Sequence, residues 1–286
     1  MKDLVVGFDL DMTLIDTAPG FVATLDALAL ELGLDLPSAE LAAALGPPLD
    51  QMLAPHVPAA DLGAVTARFR ALYPDHAVVA TPHLAGAPEA IAAVRRHHGR
   101  VLLVTGKYAP NAQLHVDHLG LDVDLVAGLV WGDAKGEVLR EHGAAVYVGD
   151  HVHDVAGARA AGATSVSVLT GSSTREELLA AGTDVVLDDL TAFPEWLDEL
   201  VLGSRLAALE ADLRARRRVL VAFSGGADSA FLLAAAARAL GPENVAAATA
   251  YSPSLPLSER RPALDFAASL GVQVLTPQTD ELSREG

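Results

Sequence analysis

The sequence predicts an α/β fold: a parallel β-sheet covered by helices on both faces, interrupted early by a helical insertion and followed by a second, partial α/β unit. Three observations predict it. Short apolar runs stop abruptly at LVVGF before Asp9, VLLV before Thr105, AVYV before Gly149 and VLVAF before Ser224. Strands buried on both faces of a parallel sheet read as continuous apolar runs of this length. Between them lie longer Ala- and Leu-rich segments with helical spacing, and such alternation builds a parallel sheet with helices on both sides. The third observation is a break in that alternation between residues 17 and 85, where helical segments are separated by the Pro-rich turns LGPPLD, APHVPAAD, YPDH and TPHLAGAP.

Taken in order, the first strand occupies part of residues 1–16, and the helical insertion runs over 17–85. Alternation returns over 86–202, with further strands expected at 164–168 and 184–187. A charge-rich helical connector follows at 203–218. A new strand, turn and helix then open a second unit over 219–286. In open parallel sheets ligands bind beyond the carboxyl ends of the strands, and each of the four apolar runs delivers its last residue to that edge.

The bulk properties bound the function. A chain of 286 residues accommodates two domains of ordinary size. A formal net charge of −17 repels polyphosphate backbones and anionic membrane surfaces, so neither nucleic acid nor membrane is an expected partner. No apolar run is long enough to span a bilayer, and the opening MKDLVVGFDLDMT lacks the long apolar segment of a signal peptide. The expected location is the cytoplasm. The absence of cysteine removes thiolate metal sites and cysteine nucleophiles, leaving oxygen and nitrogen chemistry. The basic cluster 214–218, RARRR, reads as a solvated helix end with cations near the negative pole of the dipole.

Asp9 and Asp11 stand two residues apart at a strand end, which directs both carboxylates to one side of an extended chain. One can attack phosphorus, forming an acyl phosphate; the other can protonate the leaving alcohol and then deprotonate water. Carboxylates so close to a phosphate dianion need cations, and hard oxygen ligands without a thiolate point to magnesium. Asp150 and Asp154, in GDHVHD after AVYV, can turn toward the same pole. Thr105 and Lys135 supply a hydroxyl and a positive charge for phosphoryl oxygens.

GFDLDMTLIDT (7–17), LLVTGK (102–107), Lys135 in GDAKGEVL and VYVGDHVHD (146–154) together resemble the four ordered motifs of haloacid dehalogenase-superfamily phosphatases. The resemblance covers about residues 1–200. It implies a Rossmann-like core with a mobile helical cap, Asp9 as nucleophile and Asp11 as acid/base. It further implies Thr105, Gly106 and Lys135 as phosphate ligands, and magnesium held by Asp9, Asp150, Asp154 and the Leu10 or Asp11 backbone. Met12 departs from the glycine common in DxDGT, and Gly136 from a common proline. LGPPL and PHLAGAPEAI are similar to the phosphoglycolate phosphatase branch, so a small phosphorylated metabolite is the expected substrate. A phosphotransferase or mutase on the same core is the alternative.

Arg68 and Arg70 are read as a solvated helix face, with a substrate carboxylate as the alternative. His115 and His118 are expected on an exposed helix face. His151 and His153 lie within the magnesium loop, where they could shape it or titrate.

The run RVLVAFSGGADSAFLLAAAARALG (218–241) combines a strand, a glycine turn and a helix, a geometry suited to an anion. Ser224, Gly225, Gly226, Asp228 and Ser229 form the turn. It resembles the pyrophosphate-binding loop (PP-loop) of ATP pyrophosphatases, and the segment 205–286 is similar to the start of ATP-dependent sacrificial sulfur transferases of nickel-pincer cofactor synthesis. ATP is therefore an expected ligand there, with TAYSPSLPLSER near the adenylate. Without cysteine, sulfur transfer by that family's cysteine route is excluded for this chain. The segment is read as an interrupted second enzyme, or as a nucleotide-binding module completed by a partner chain.

Overall fold

The computed structural model describes residues 4–250 and 257–277. These fall into two compact units, 1–198 and 199–286.

The first unit is built on a six-stranded parallel sheet. Its first strand, β1 (Val5–Phe8), is buried at every position, as a central strand with both faces covered must be. Five helices precede the next strand, and the first four are α1 (Ala18–Leu32), α2 (Ser38–Ala43), α3 (Leu49–Leu53) and α4 (Leu62–His76). They gather their own core, with Phe21, Leu25, Leu28, Leu53, Phe69 and Tyr73 buried together. This is the helical insertion the Pro-rich turns predict.

The remaining elements alternate. They are α5 (Ala87–Arg96), β2 (Arg100–Val104), α6 (Ala109–Leu119), β3 (Leu125–Ala127), α7 (Asp133–Glu141), β4 (Val146–Gly149), α8 (Val152–Ala161), β5 (Thr164–Val168), α9 (Arg175–Ala181) and β6 (Val185–Leu187). The sheet order is β3-β2-β1-β4-β5-β6, all pairs parallel. The chain winds outward from β1 in one direction and restarts at β4 in the other. A crevice therefore opens between the carboxyl ends of β1 and β4, the topological switch point of a doubly wound sheet.

A long helix, α10 (Phe193–Arg216), contains the boundary between the units. The connector expected at 203–218 thus starts ten residues earlier. Its start carries Phe193 and, one turn on, Leu197, both fully buried, and a 3₁₀ turn at Leu190–Ala192, capped by the Asp189 side chain, leads straight into it. The arginines at its end pair locally, Arg214 with Glu210 at 3.0 Å and Arg216 with Asp212 at 2.9 Å, each one turn away.

The second unit holds β7 (Val219–Ala222), α11 (Ala227–Leu240), β8 (Val245–Ala248), α12 (Leu257–Ser269) and β9 (Gln273–Leu275). Its three strands are parallel in the order β7-β8-β9. Val221, Leu233, Ala236, Val245 and Ala247 form its core, whereas Leu220, on the other face of β7, is 60% exposed. No helix among the described residues is long and apolar enough to cross a membrane.

Candidate active site

The last ladder bond of β1 is donated by the Asp9 N–H to the Val148 carbonyl at 2.8 Å, and the next side chains alternate. Asp9 and Asp11 face a cavity while Leu10 between them is fully buried. The extended geometry that the i, i+2 spacing requires therefore persists past the strand end. Met12 turns the chain with φ 58°, the left-handed conformation that favours glycine, which accounts physically for the glycine common at this point of the motif. Met12 packs instead against the core of the inserted helices.

From β4 come Asp150 and Asp154. Asp154 is the third residue of α8 and accepts the backbone N–H of His151 at 3.1 Å, closing a capping box. Asp150 accepts the Thr13 hydroxyl at 2.9 Å. A Cβ on Gly171 would fall on the Asp150 carboxylate, so a side chain there is incompatible with this position of Asp150. The carboxylates of Asp9, Asp150 and Asp154 are all buried and offer oxygens within 4.8 Å of one another.

Lys135 lies behind this cluster, 1% exposed, its Nζ 2.9 Å from Asp9 Oδ1 and 2.6 Å from Asp154 Oδ1. Burial disfavours its charge, but Asp154 and Asp9 outweigh that and hold it protonated well above the usual lysine range. A single ammonium does not neutralise three carboxylates. Burial, with Asp154 and Asp9 beside it, pushes the Asp150 carboxyl well up. Burial likewise raises Asp9 to about 7, against the pull of Lys135 and with the push of Asp154 and Asp11. A buried, all-oxygen, under-neutralised cluster fits a hard divalent cation such as magnesium.

Asp11 behaves differently because of a residue that sequence reasoning did not single out. Lys107, at the end of LLVTGK, sets its Nζ 2.6 Å from Asp11 Oδ1, and the Thr17 hydroxyl donates to the same oxygen at 2.5 Å. Burial pushes the Asp11 carboxyl up, but the Lys107 charge and these hydrogen bonds outweigh it and hold it below the usual carboxylate range. The Lys107 ammonium also lies 4.6 Å from the centroid of the Tyr73 ring on α4. The Tyr73 hydroxyl is 2.9 Å from His115 Nε2 on α6.

That contact corrects the expectation of an exposed His115. The ring is fully buried, and burial, together with the Lys107 charge, lowers it to about 4. His118 is exposed. Arg68 points away, paired with Glu31 at 2.6 Å on the surface, whereas Arg70 lines the cavity with its guanidinium 4.8 Å over the Tyr108 ring. His151 and His153 stack at 5.1 Å, with Trp131 beside both.

The cavity holds about 300 Å³ and joins the two layers: Asp9, Asp11, Thr105, Gly106, Lys107 and Asp150 from the sheet side, Arg70 and Tyr73 from the inserted helices. Thr105 and Gly106, expected as phosphate ligands, line the same cavity as Asp9, and the Thr105 hydroxyl accepts the Lys107 backbone N–H at 3.2 Å. Lys135, also expected as a phosphate ligand, is not on the wall; it braces the carboxylates from behind.

In the second unit, the turn 224–229 joins β7 to α11. Gly225 has φ 83°, Ser224 Oγ and Ser229 Oγ are 3.1 Å apart, and Ser229 donates to the Gly226 carbonyl at 3.0 Å. Gly226 caps the helix and Asp228 sits in its first turn. Of the TAYSPSLPLSER segment expected near an adenylate, 251–256 lie outside the described residues.

Comparison with known proteins agrees with this arrangement. The family model described as haloacid dehalogenase-like hydrolase matches residues 6–159, more than half of the chain, and a second HAD-hydrolase-like model matches 130–193. Probable phosphatase IndB of Dickeya dadantii is 27% identical over 211 residues, spanning 66% of this chain and 90% of that protein. Tyrosine-protein kinase PtkA of Mycobacterium tuberculosis is 28% identical over 211 residues, 68% of this chain and 70% of its own length. Among solved structures, a haloacid dehalogenase-like family hydrolase of Streptococcus pneumoniae superposes with TM-score 0.61 at 20% identity, covering 68% of this chain and 98% of the other. A predicted phosphoglycolate phosphatase from Haemophilus somnus gives 0.60 at 17% identity, covering 69% and 99%. With the matched region containing Asp9, Thr105, Lys135, Asp150 and Asp154, the chain belongs to the haloacid dehalogenase-like hydrolases.

Proposed function

We propose that the first unit hydrolyses a small phosphomonoester through a phosphorylated Asp9. The reading rests on one observation above all: three buried carboxylates from two strand ends converge within 4.8 Å at the floor of a cavity that also contains Asp11. Asp9, Asp150 and Asp154 would hold magnesium, whose charge would favour the ionised form of Asp9 and offset the negative charge of a bound phosphate.

The chain's own residues account for the rest. Asp9 attacks phosphorus, the ester P–O bond breaks, and the leaving oxygen takes a proton from Asp11. Water then loses a proton to Asp11 and attacks the same phosphorus, breaking the bond to Asp9 and releasing phosphate. Asp11 must be protonated for the first step, yet Lys107 holds it ionised. A phosphate dianion entering the cavity competes with Asp11 for the Lys107 ammonium, and loss of that pairing lets burial raise the Asp11 carboxyl. Thr105, through its hydroxyl, and Gly106, through its backbone N–H, orient the phosphoryl oxygens.

Magnesium-dependent phosphate release from a panel of phosphomonoesters, phosphoglycolate included, tests the reading, with Asp9→Asn as the control. Loss of activity by at least about a thousandfold in Asp9→Asn is expected; equal activity in the variant and the parent contradicts the role of Asp9.

A second reading concerns residues 224–229. Strand β7, a turn with Gly225 at φ 83° and a 14-residue helix support binding of a nucleotide pyrophosphate at the helix start, in an adenylylating enzyme or a module completed by a partner chain. Calorimetric titration with ATP is the test: millimolar or tighter binding, lost in Ser224→Ala, supports it, and no heat of binding at millimolar ATP removes it.

A further inference from the structure

The whole chain has seven Phe, four Tyr and two Trp, and five of these thirteen, Phe21, Phe69, Tyr73, Tyr108 and Trp131, line the one cavity above Asp9. Three of them back the cavity from the buried core of the inserted helices, and two stand half-buried on its wall. Phe21, Phe69 and Tyr73 approach from the inserted helices, with Phe21–Phe69 centroids at 5.4 Å and Phe69–Tyr73 at 5.7 Å. Tyr108 and Trp131 come from loops at the sheet edge and are only half-buried. The Trp131 ring lies 4.8 Å from the His153 ring, and a Cβ on Gly106 would come within 3.3 Å of it. Met52 and Leu49 extend the apolar wall on the side of the inserted helices.

The polar groups of that wall are Asp50, Arg70, Lys107, Asn111 and His151. Arg70 is partly engaged by the Tyr108 face, Asp50 contributes one opposing charge, and Lys107 is committed to Asp11. A two-carbon carboxylate such as that of phosphoglycolate would leave the half-buried Trp131, Tyr108 and Leu49 side chains in contact with water. A planar apolar group would cover them, and ring-on-ring contact adds to the area term.

We infer that the substrate is a phosphomonoester whose organic portion carries an aromatic ring, held by Trp131 and Tyr108 of the sheet side and Leu49 of the inserted helices. The inference rests on the phosphatase reading above and narrows its substrate class.

The test must separate the ring from leaving-group reactivity, so benzyl phosphate is compared with ethyl phosphate and phosphoglycolate, all with alkyl oxygens leaving. The expected kcat/KM for benzyl phosphate is at least about tenfold above the other two, and Trp131→Leu narrows that ratio, mostly through KM. Ethyl phosphate or phosphoglycolate turned over as well as benzyl phosphate overturns the inference while leaving the phosphatase reading intact. A binding measurement separates the two readings from the other side. Benzylphosphonate, which is not hydrolysed, should quench tryptophan emission at lower concentration than ethylphosphonate acts as a competitor, and the quench should vanish in Trp131→Leu, which retains Trp196. If no ester is hydrolysed, the phosphatase reading falls, and this measurement alone decides the aromatic site: quenching sustains it, and none overturns it.

Discussion

At the scale of single residues, the site divides into positions set by nearby sequence and positions set by contacts far along the chain. Asp9, Asp11, Asp150 and Asp154 were legible because each follows a buried apolar run closely, so topology alone delivers them to one edge. Lys107 and His115 were not, because what defines them lies on the inserted helix α4: the Tyr73 ring over Lys107, and the Tyr73 hydroxyl on His115. Removing Lys107 leaves Asp11 without its cation, and Lys107→Met is expected to cost about 2 kcal/mol, less than a fully buried pair because Asp11 retains some exposure. Urea unfolding of the single variants and of Lys107→Met with Asp11→Asn measures it; the double variant should recover part of the loss. His115 has a folded value of about 4 against an ordinary 6.5, so the unfolded chain binds more protons between these pH values. Its contribution to stability is therefore fully present above about 6.5 and lost as pH falls toward 4, by up to about 3 kcal/mol. His115→Gln keeps a partner for Tyr73 and removes the titration, so the difference between variant and parent across that window isolates the effect. Gly171→Ala would push the Asp150 carboxylate aside, and a tenfold or greater loss of magnesium affinity is expected with the fold retained.

At the scale of elements, strands buried on both faces were read correctly from their apolar runs, with β5 at Thr164–Val168 matching its expected span. The three-residue strand β3 was missed because Leu125–Ala127 is only partly buried and too short for a periodic signal. Helix α10 began earlier than expected because burial of Phe193 and Leu197, rather than the charge pattern that marked its exposed end, decides where it starts. The inserted helices were legible from their Pro-rich turns, while their hydrophobic core was not. Phe69, 4% exposed between Phe21 and Tyr73, anchors that core, and Phe69→Ala is expected to destabilise it by about 3–5 kcal/mol. Chemical denaturation followed by tyrosine emission checks this, since Tyr73 is its neighbour.

At the scale of the molecule, the two units make separate claims. Everything argued for hydrolysis lies in 1–198, and the turn at 224–229 belongs to the other unit. Magnesium should therefore slow amide exchange in the first unit at the loops after β1 and β4 and leave 199–277 unchanged, as hydrogen exchange with mass spectrometry would read. The pH dependence has a definite sign. Asp9, raised to about 7 from 3.8, favours the metal-free fold while protonated, a contribution fully present below about 3.8 and lost as pH rises through 7. Metal binding must displace that proton, so stabilisation by magnesium grows from pH 5 to 8.

The central claim, that Asp9 is the nucleophile, is tested most directly by acid-quenching the enzyme within milliseconds of mixing with substrate and magnesium, then locating the label by peptide mass spectrometry. A single phosphoryl group on the peptide containing Asp9, absent in Asp9→Asn, is the predicted result. Substrate turnover with no phosphorylated enzyme at any quench time, or with the group on another residue, contradicts it.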